Sequence, residues 1–155
     1  MTLTISETPE LIKKKWPNLN NDNARTTSEF SWFYNCLGFA VGDEENWWWP
    51  TKEEGIYWPK EFPFINSTTN ILKMLKEKFN YEKCESGELE EGYVKITIYG
   101  ISESYSPKHY AIQTPNGKWK SKLGEKEDIE HDTLEALNGF FYGEPIAFAK
   151  RKLSD

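Results

Sequence analysis

Hydrophobic and polar positions alternate most clearly in the second half of the chain, where the pattern predicts an antiparallel sheet. The segment VKITIYGI (94–101) is dense in β-branched and aromatic residues, which favour strands. Strands are also expected in HYAIQT (109–114) and KWKSKL (118–123), and the intervening Asn116-Gly117 pair is typical of a hairpin turn. The closing segment EPIAFAKRK (144–152) predicts a last strand, and YEKC (81–84) predicts a short one.

Helices are expected in four other segments. Thr8 followed by Pro9 predicts the start of a short helix, and a longer helix is expected from Ser67 or Thr68 to about Phe79. A segment from Asn35 or Cys36 to about Val41 is almost wholly apolar, so its helix is expected to be buried. A fourth helix is expected over about 128–138, with Gly139 as its C-cap. Helices and strands that follow one another in this way are typical of an α+β domain.

Length and charge narrow the classes of function. The chain has 155 residues, which predicts a single domain over residues 1–155. Its net charge of −6 makes nucleic-acid binding a poor expectation, because no surplus of Lys and Arg can replace the counterions of a phosphate backbone. No apolar run is long enough to cross a membrane, so no membrane association is expected. No cofactor is expected either, and the oligomeric state is left open.

The chain starts without an apolar signal segment, which favours a cytoplasmic location with both cysteines, Cys36 and Cys84, reduced. Export by a route that needs no signal is compatible with the same sequence. A zinc site formed by these cysteines and the two histidines, His109 and His131, is disfavoured, because no two of the four have the close spacing of structural zinc ligands. No metal site is therefore predicted.

A cysteine and a histidine stand at positions where a thiol hydrolase would need them. Cys36 opens the apolar helix, where the positive end of the helix dipole stabilises a thiolate. His109 opens a strand, next to a loop, where it could accept the thiol proton and return it to a leaving group. The alternative for Cys36 is a core residue, because free cysteine is among the most buried residue types.

This layout resembles the papain-like thiol hydrolases, in particular the small NlpC/P60-type peptidases, in which a Cys heads a buried helix and a His begins a strand of the following sheet. The resemblance implies a papain-like α+β fold, with the buried helix packed on an antiparallel sheet of about four to five strands. It also implies a third polar residue on the next strand, which falls at Ser121. The chain departs from the group's pattern, because Ser orients an imidazole weakly and Tyr34-Asn35-Cys36 replaces the common Asp-Cys-Ser.

The register of the predicted hairpin decides which residues share a face with His109. A two-residue turn at Asn116-Gly117 would bring Lys120 and Lys122 to that face, whereas a bulge at Gly117 would bring Trp119 and Ser121. We favour the bulged turn. Gln113 lies on the His109 face in either case and is a second candidate for orienting the imidazole.

A second resemblance covers nearly the whole chain. The motifs YNC-LGFAVGD, WWWP, IYWP, SKLGEKEDIEHDTLEAL and YGEPIAFAKR are similar to those of a bacterial domain family of unknown function. This resemblance implies a shared fold and no particular activity.

These observations lead to one principal expectation and one alternative. The first is a thiol hydrolase or amidase acting on an amide or ester, with a peptide or protein as substrate. In it Cys36 is the nucleophile and His109 the base, while Asn35 and the Cys36 amide stabilise the oxyanion. Aromatic residues would line the substrate groove: Trp49, Trp58 and Trp119. The alternative is a non-catalytic binding or immunity-type module on the same fold.

Overall fold

The helices of the computed structural model begin at residues whose side chains cap them. The model describes residues 3–101, 106–123 and 126–153. Thr8, Asn35 and Ser67 each accept a hydrogen bond from a backbone N–H of the first turn, which satisfies a donor that the helix itself leaves free. The helices are α1 (Pro9–Lys15), α2 (Cys36–Val41), α3 (Thr68–Phe79) and a 3₁₀ helix (Leu134–Leu137).

Seven strands form one sheet: β1 (Ala24–Ser28), β4 (Glu82–Cys84), β5 (Tyr93–Ile101), β6 (Ser106–Gln113), β7 (Trp119–Lys122), β8 (Asp128–His131) and β9 (Glu144–Lys152). Their order in the sheet is β1-β8-β7-β6-β5-β9-β4, and each neighbouring pair is antiparallel. A separate parallel pair is formed by β2 (Trp47–Trp48) and β3 (Ile56–Tyr57). No helix within the described ranges is long and apolar enough to cross a membrane.

The predicted α+β class is confirmed, but the sheet is larger than the four to five strands expected. The difference comes from β1 and β8, which pair with each other at one side of the sheet. The predicted helix over 128–138 was wrong: its first part is strand β8, held by backbone hydrogen bonds between β1 and β7. Gly139 does not cap a helix but pairs with Gly143 in a tight turn. Pairing with distant strands has overridden the local helical pattern.

Both faces of the sheet are covered, and each carries its own apolar core. Helices α2 and α3 contribute to the first core, together with Ile96, Ile98 and Tyr110 from the central strands. On the opposite face, the N-terminal segment and the 3₁₀ helix contribute to the second core, together with Tyr99 and Ala111. Because successive side chains of a strand point to opposite faces, residues 110 and 111 of β6 belong to different cores.

The turn from Gly139 to Gly143 is docked tightly against the rest of the second face. Two backbone hydrogen bonds close it, from Gly139 to Gly143 and from Gly143 to Gly139, at 3.1 and 2.7 Å. Gly143 has a φ of 79°, and a Cβ built on it would lie 2.1 Å from the carbonyl oxygen of Gly100. Only glycine tolerates both conditions, so the turn and the three aromatic residues within it are held at a fixed position.

We expect Gly143→Ala to destabilise the domain far more than Gly55→Ala. Gly55 shares the positive φ but a Cβ there meets nothing within 4 Å, so its replacement should cost only about 1–2 kcal/mol. At Gly143 the overlap with backbone adds to this, for a total of about 3 kcal/mol or more. Urea unfolding of both variants measures the difference. Equal losses would contradict the tight docking of the turn.

Candidate functional site

Cys36, the predicted nucleophile, is sealed in the first core. It begins helix α2, as expected, but its side chain packs among apolar residues with Tyr110 of β6, and only 6% of the residue is exposed. Burial raises the pKa of the thiol to about 12, because a thiolate would lose its solvation there. Backbone hydrogen bonds to the sulfur offset only part of this effect.

Asn35, the predicted oxyanion donor, is already occupied by structural hydrogen bonds. Its Oδ1 accepts from the backbone N–H groups of Gly38 and Trp48, both at 3.0 Å. Its Nδ2 donates to the carbonyl oxygen of Trp48 at 2.9 Å. The side chain therefore joins the start of α2 to β2, and it is buried.

His109, the predicted base, is fully buried in the opposite face of the sheet. Its ring stacks on Tyr142, with centroids 4.0 Å apart and planes 9° from parallel, and it meets Tyr99 edge-on at 5.4 Å. Within the described residues, neither ring nitrogen has a hydrogen-bond partner. Burial lowers the pKa of His109 well below its usual value, with a smaller effect from nearby His131, so the imidazole is neutral.

Cys36 and His109 consequently lie on different sides of strand β6. The sulfur contacts the face that carries Tyr110, whereas the imidazole shares its face with Ala111 and Tyr99. No hydrogen bond joins the thiol to the ring among the described residues. The catalytic roles of both residues stay a prediction, and the surroundings of each favour its neutral form.

The hairpin register follows the bulged alternative. Gln113 of β6 pairs with Trp119 of β7, so Trp119 and Ser121 share the His109 face. Gly117 in the turn has a φ of 86°, which suits a glycine bulge. The face was therefore predicted correctly, although Ser121 does not bond to His109.

Ser121 instead belongs to a buried chain of hydrogen bonds that the sequence did not indicate. Its Oγ lies 2.8 Å from Nε2 of His131, whose Nδ1 lies 2.8 Å from the carbonyl oxygen of Thr133. A carbonyl only accepts, so Nδ1 carries the proton and Ser121 donates to Nε2. Burial lowers the pKa of His131 to about 4. A serine bonded to a neutral histidine resembles a catalytic pair, but neither side chain reaches solvent.

The other predicted site residues make structural hydrogen bonds or pack in one of the two cores. Gln113 donates from Nε2 to the carbonyl oxygen of Gly87 at 2.8 Å. Trp58 is buried in the first core and donates to the carbonyl oxygen of Pro63, while Trp49 packs edge-on against Tyr110 of the same core. Trp119 is buried in the second core. The predicted substrate tryptophans thus do not meet in one groove.

A different cleft, which we call the aromatic cleft, lies between the N-terminal segment and the Gly139–Gly143 turn. Its volume is about 230 Å³. Aromatic and charged side chains line most of it: Glu7, Lys15, Trp16, Trp47, Leu123, Lys126, Phe141 and Tyr142. Tyr142 is the residue on which His109 stacks.

Among the residues that the structure describes, two polar atoms on the lining of the aromatic cleft are buried without a hydrogen-bond partner. They are Oε2 of Glu7, an acceptor, and Nε1 of Trp16, a donor. The Glu7 side chain is 8% exposed, and its other oxygen accepts a hydrogen bond from Lys15 Nζ at 2.8 Å. Unpaired buried polar groups are rare and costly in native proteins, and these two belong to residues that line one cleft. The sequence signal was three adjacent aromatic residues between two glycines, GFFYG (139–143).

A larger depression of about 540 Å³ beside β1 lacks this feature. Glu127 and Thr26 line it. Both carboxylate oxygens of Glu127 accept hydrogen bonds from Ser6. Thr26 Oγ1 accepts from the backbone N–H of Thr4 and donates to its carbonyl oxygen. These polar groups are already satisfied within the protein. The aromatic cleft is therefore the stronger candidate for a ligand site.

Fold and site together define an α+β domain with one antiparallel sheet, two separate cores and an aromatic cleft at the edge of the second core. A family model described as domain of unknown function DUF7689 matches residues 25–150, and the chain belongs to this family. Comparisons with curated proteins and with solved structures found no match. The expected membership of a family of unknown function is thus confirmed. Glu7, Lys15 and Trp16 precede the matched range.

We expect His109→Phe to preserve or increase stability at pH 7.5, by up to about 2 kcal/mol, because it removes two unpaired nitrogens and keeps the stacking on Tyr142. The matched change His131→Phe should destabilise by about 2–4 kcal/mol, since it leaves Ser121 and Thr133 without partners. Urea unfolding measures both changes. A marked loss in the His109 variant would reveal a partner for its ring.

His109→Phe should also change the pH dependence of the free energy of unfolding. Both histidines have lowered pKa values, so the unfolded chain binds more protons than the folded one below about pH 6.5. Stability is therefore complete above that pH and falls as the pH drops towards the folded-state values. Each histidine contributes a slope of at most about 1.4 kcal/mol per pH unit, and His109→Phe should remove one such contribution between pH 6 and 5. An unchanged slope would contradict a neutral, buried His109.

Proposed function

We propose that this domain is a non-catalytic binding module and that its ligand, or a group of its partner, enters the aromatic cleft. The observation that carries the proposal is the pair of unpartnered atoms on Glu7 and Trp16, which belong to residues lining the same cleft. A group that both donates and accepts hydrogen bonds would satisfy them once the lining side chains move apart to admit it, because both atoms are enclosed in the free protein. Phe141, which is 40% exposed, offers that group an aromatic side chain next to the Lys15 ammonium.

The surroundings of the predicted catalytic pair also support a binding role. A nucleophilic thiolate needs an electropositive and partly exposed environment, whereas Cys36 has an apolar one and a pKa of about 12. A general base must come within hydrogen-bond reach of the proton it takes, and His109 faces the other core.

The papain-like hydrolase is the competing proposal. For Cys36 to attack an amide or ester, strand β6 would have to present His109 to the first core, and a path from solvent to the sulfur would have to open. The first change requires rearrangement of the central sheet. A binding module needs neither.

Alkylation with iodoacetamide across pH 5 to 9 distinguishes the two proposals. In the binding module, native Cys36 reacts only after denaturant is added, while Cys84, which is partly exposed, reacts in the native protein and serves as an internal control. Peptide mapping separates the two sites. Rapid native labelling of Cys36 below pH 7, slowed by His109→Ala, would instead establish a thiolate–imidazole pair and overturn the binding-module proposal.

Nuclear magnetic resonance of the seven tryptophan indole N–H groups tests the cleft itself. The probes are N-methylacetamide, methylammonium chloride, sodium acetate and methyl β-D-glucopyranoside, which differ in charge and hydrogen-bonding groups. At least one should shift the Trp16 and Trp47 signals saturably and leave that of buried Trp58 in place. Assignment uses Trp16→Phe. If none of the four shifts the Trp16 signal, the aromatic cleft is not a ligand site.

A further inference from the structure

Lysines gather around the edge strand β4, although the chain as a whole carries a net charge of −6. They line two adjoining depressions, of about 390 and 380 Å³, which share Lys76 and Glu82. We call the two depressions together the basic groove. Its lysines are Lys73, Lys76, Lys83, Lys150 and Lys152, and among its described lining residues the only carboxylate is that of Glu82. The groove therefore has the opposite sign of charge to the whole chain, which favours an anionic ligand.

Most of these ammonium groups are accessible and have no carboxylate partner. Lys150 is the exception, because it donates to Oε1 and Oε2 of Glu90 at 3.2 and 3.0 Å. The other four lysines are exposed, and none of them forms an ion pair with another residue of the described ranges. Like charges that line one groove repel one another, so a bound anion would relieve this repulsion.

The backbone of β4 offers the groove a second means of recognition. β4 is the last strand at its side of the sheet, where its neighbour is β9. Successive residues of an antiparallel strand direct their N–H and C=O groups alternately towards the neighbour and away from it. At least one residue of Glu82–Cys84 therefore presents both groups at the outer edge, and no hydrogen bond between described residues engages them there. Charged side chains on such an edge discourage pairing with other strands, so a strand that adds here must carry the complementary charge.

The positions of the lysines specify the spacing of that charge. Lys83 lies opposite Ala149 of the first core, so its side chain is on the α3 side of the sheet, whereas that of Glu82 points to the other side. Lys73 and Lys76 are neighbours on one face of α3 and line the same depression as Lys83. An added strand would direct every second side chain to this side of the sheet. Carboxylates at alternate positions would thus meet the lysines together.

We propose that the basic groove binds an acidic, extended segment of a partner protein, which adds to the sheet at the outer edge of β4. Carboxylates at alternate positions of the segment contact Lys73, Lys76 and Lys83, and its backbone N–H and C=O groups bond to the edge. This inference goes beyond the binding role proposed above, because the basic groove and the aromatic cleft share none of their described lining residues. Either site can fail without the other.

The test titrates the full chain with acetylated and amidated peptides and follows its backbone amide signals by nuclear magnetic resonance. The peptide TETETET should shift the signals of β4 and α3 saturably, with an affinity that falls as salt is raised from about 50 to 500 mM. The neutral peptide TQTQTQT should not bind. TTEEETT, which has the same composition and charge as TETETET, should bind at least threefold more weakly. Equal binding of TTEEETT, or no binding of TETETET, would overturn the inference.

A fourth peptide tests the strand pairing. TETETET with methylated backbone nitrogens keeps its charge but cannot donate to the edge of β4, so it should bind at least fivefold more weakly. An unchanged affinity would show that charge alone holds the peptide, which would contradict addition to the sheet.

Variants identify the contacts. Lys76→Gln and Lys83→Gln should each weaken binding of TETETET about two- to fivefold, as expected for loss of one exposed ion pair. Replacing Lys73, Lys76 and Lys83 together by Gln should weaken it at least tenfold, and their exposure allows the domain to fold normally. Lys13→Gln is the matched control, since Lys13 is exposed on α1 and lines neither depression. An equal loss in the control, or none in the triple variant, would place the peptide elsewhere and overturn the inference.

Other occupants of the basic groove give different results. Tighter binding of phosphatidylserine vesicles or of single-stranded oligothymidylate than of TETETET, lost in the triple variant, would assign the groove to phosphate groups and overturn the inference. A dimer that light scattering detects in the unmodified chain and not in the triple variant would assign it to a second copy, with the same consequence. The Trp16 indole signal should not respond to TETETET, so the outcome is independent of the aromatic cleft.

Discussion

Neighbouring residues of a strand point to opposite faces of a sheet, and in this domain that rule acts on a central strand with a core on either side. Tyr110 of β6 faces the helices, while His109 faces the N-terminal segment. Cys36, at the start of α2, packs in the same core as Tyr110. His109, the residue before Tyr110 in β6, lies on the other side of the sheet. Everything proposed about chemistry depends on this separation, because a strand shift of one residue would exchange the two sets.

Helix caps and hairpin turns were predicted correctly from the sequence, because interactions between residues close along the chain determine them. Ser67 and Thr8 capped the expected helices, and the Asn116-Gly117 turn gave the right face to Trp119 and Ser121. The sequence could not show which face of the sheet helix α2 would cover, because that choice depends on contacts between distant segments. The strand at 128–131 was missed for the same reason: its two neighbours, β1 and β7, hold it extended against a helical pattern.

The aromatic cleft was beyond sequence reasoning for a related reason. Its walls come from the N-terminal segment, Trp47 of strand β2 and the Gly139–Gly143 turn, which are far apart along the chain. Unpaired polar atoms occur both there and at His109, but their settings differ. The imidazole is sealed between two tyrosines, whereas Glu7 and Trp16 belong to residues that line a cavity. Only the second pair belongs to residues beside a cavity.

The N-terminal segment contributes residues both to the second core and to the lining of the aromatic cleft. Ile5, Trp16 and Leu19 complete the second core, and Glu7 and Trp16 supply the polar atoms of the cleft. A molecule held between this segment and the Gly139–Gly143 turn would act as a clamp across the edge of that core. Occupancy of the cleft would then be thermodynamically linked to unfolding, and the domain's resistance to heat or proteases would rise with the concentration of whatever it binds.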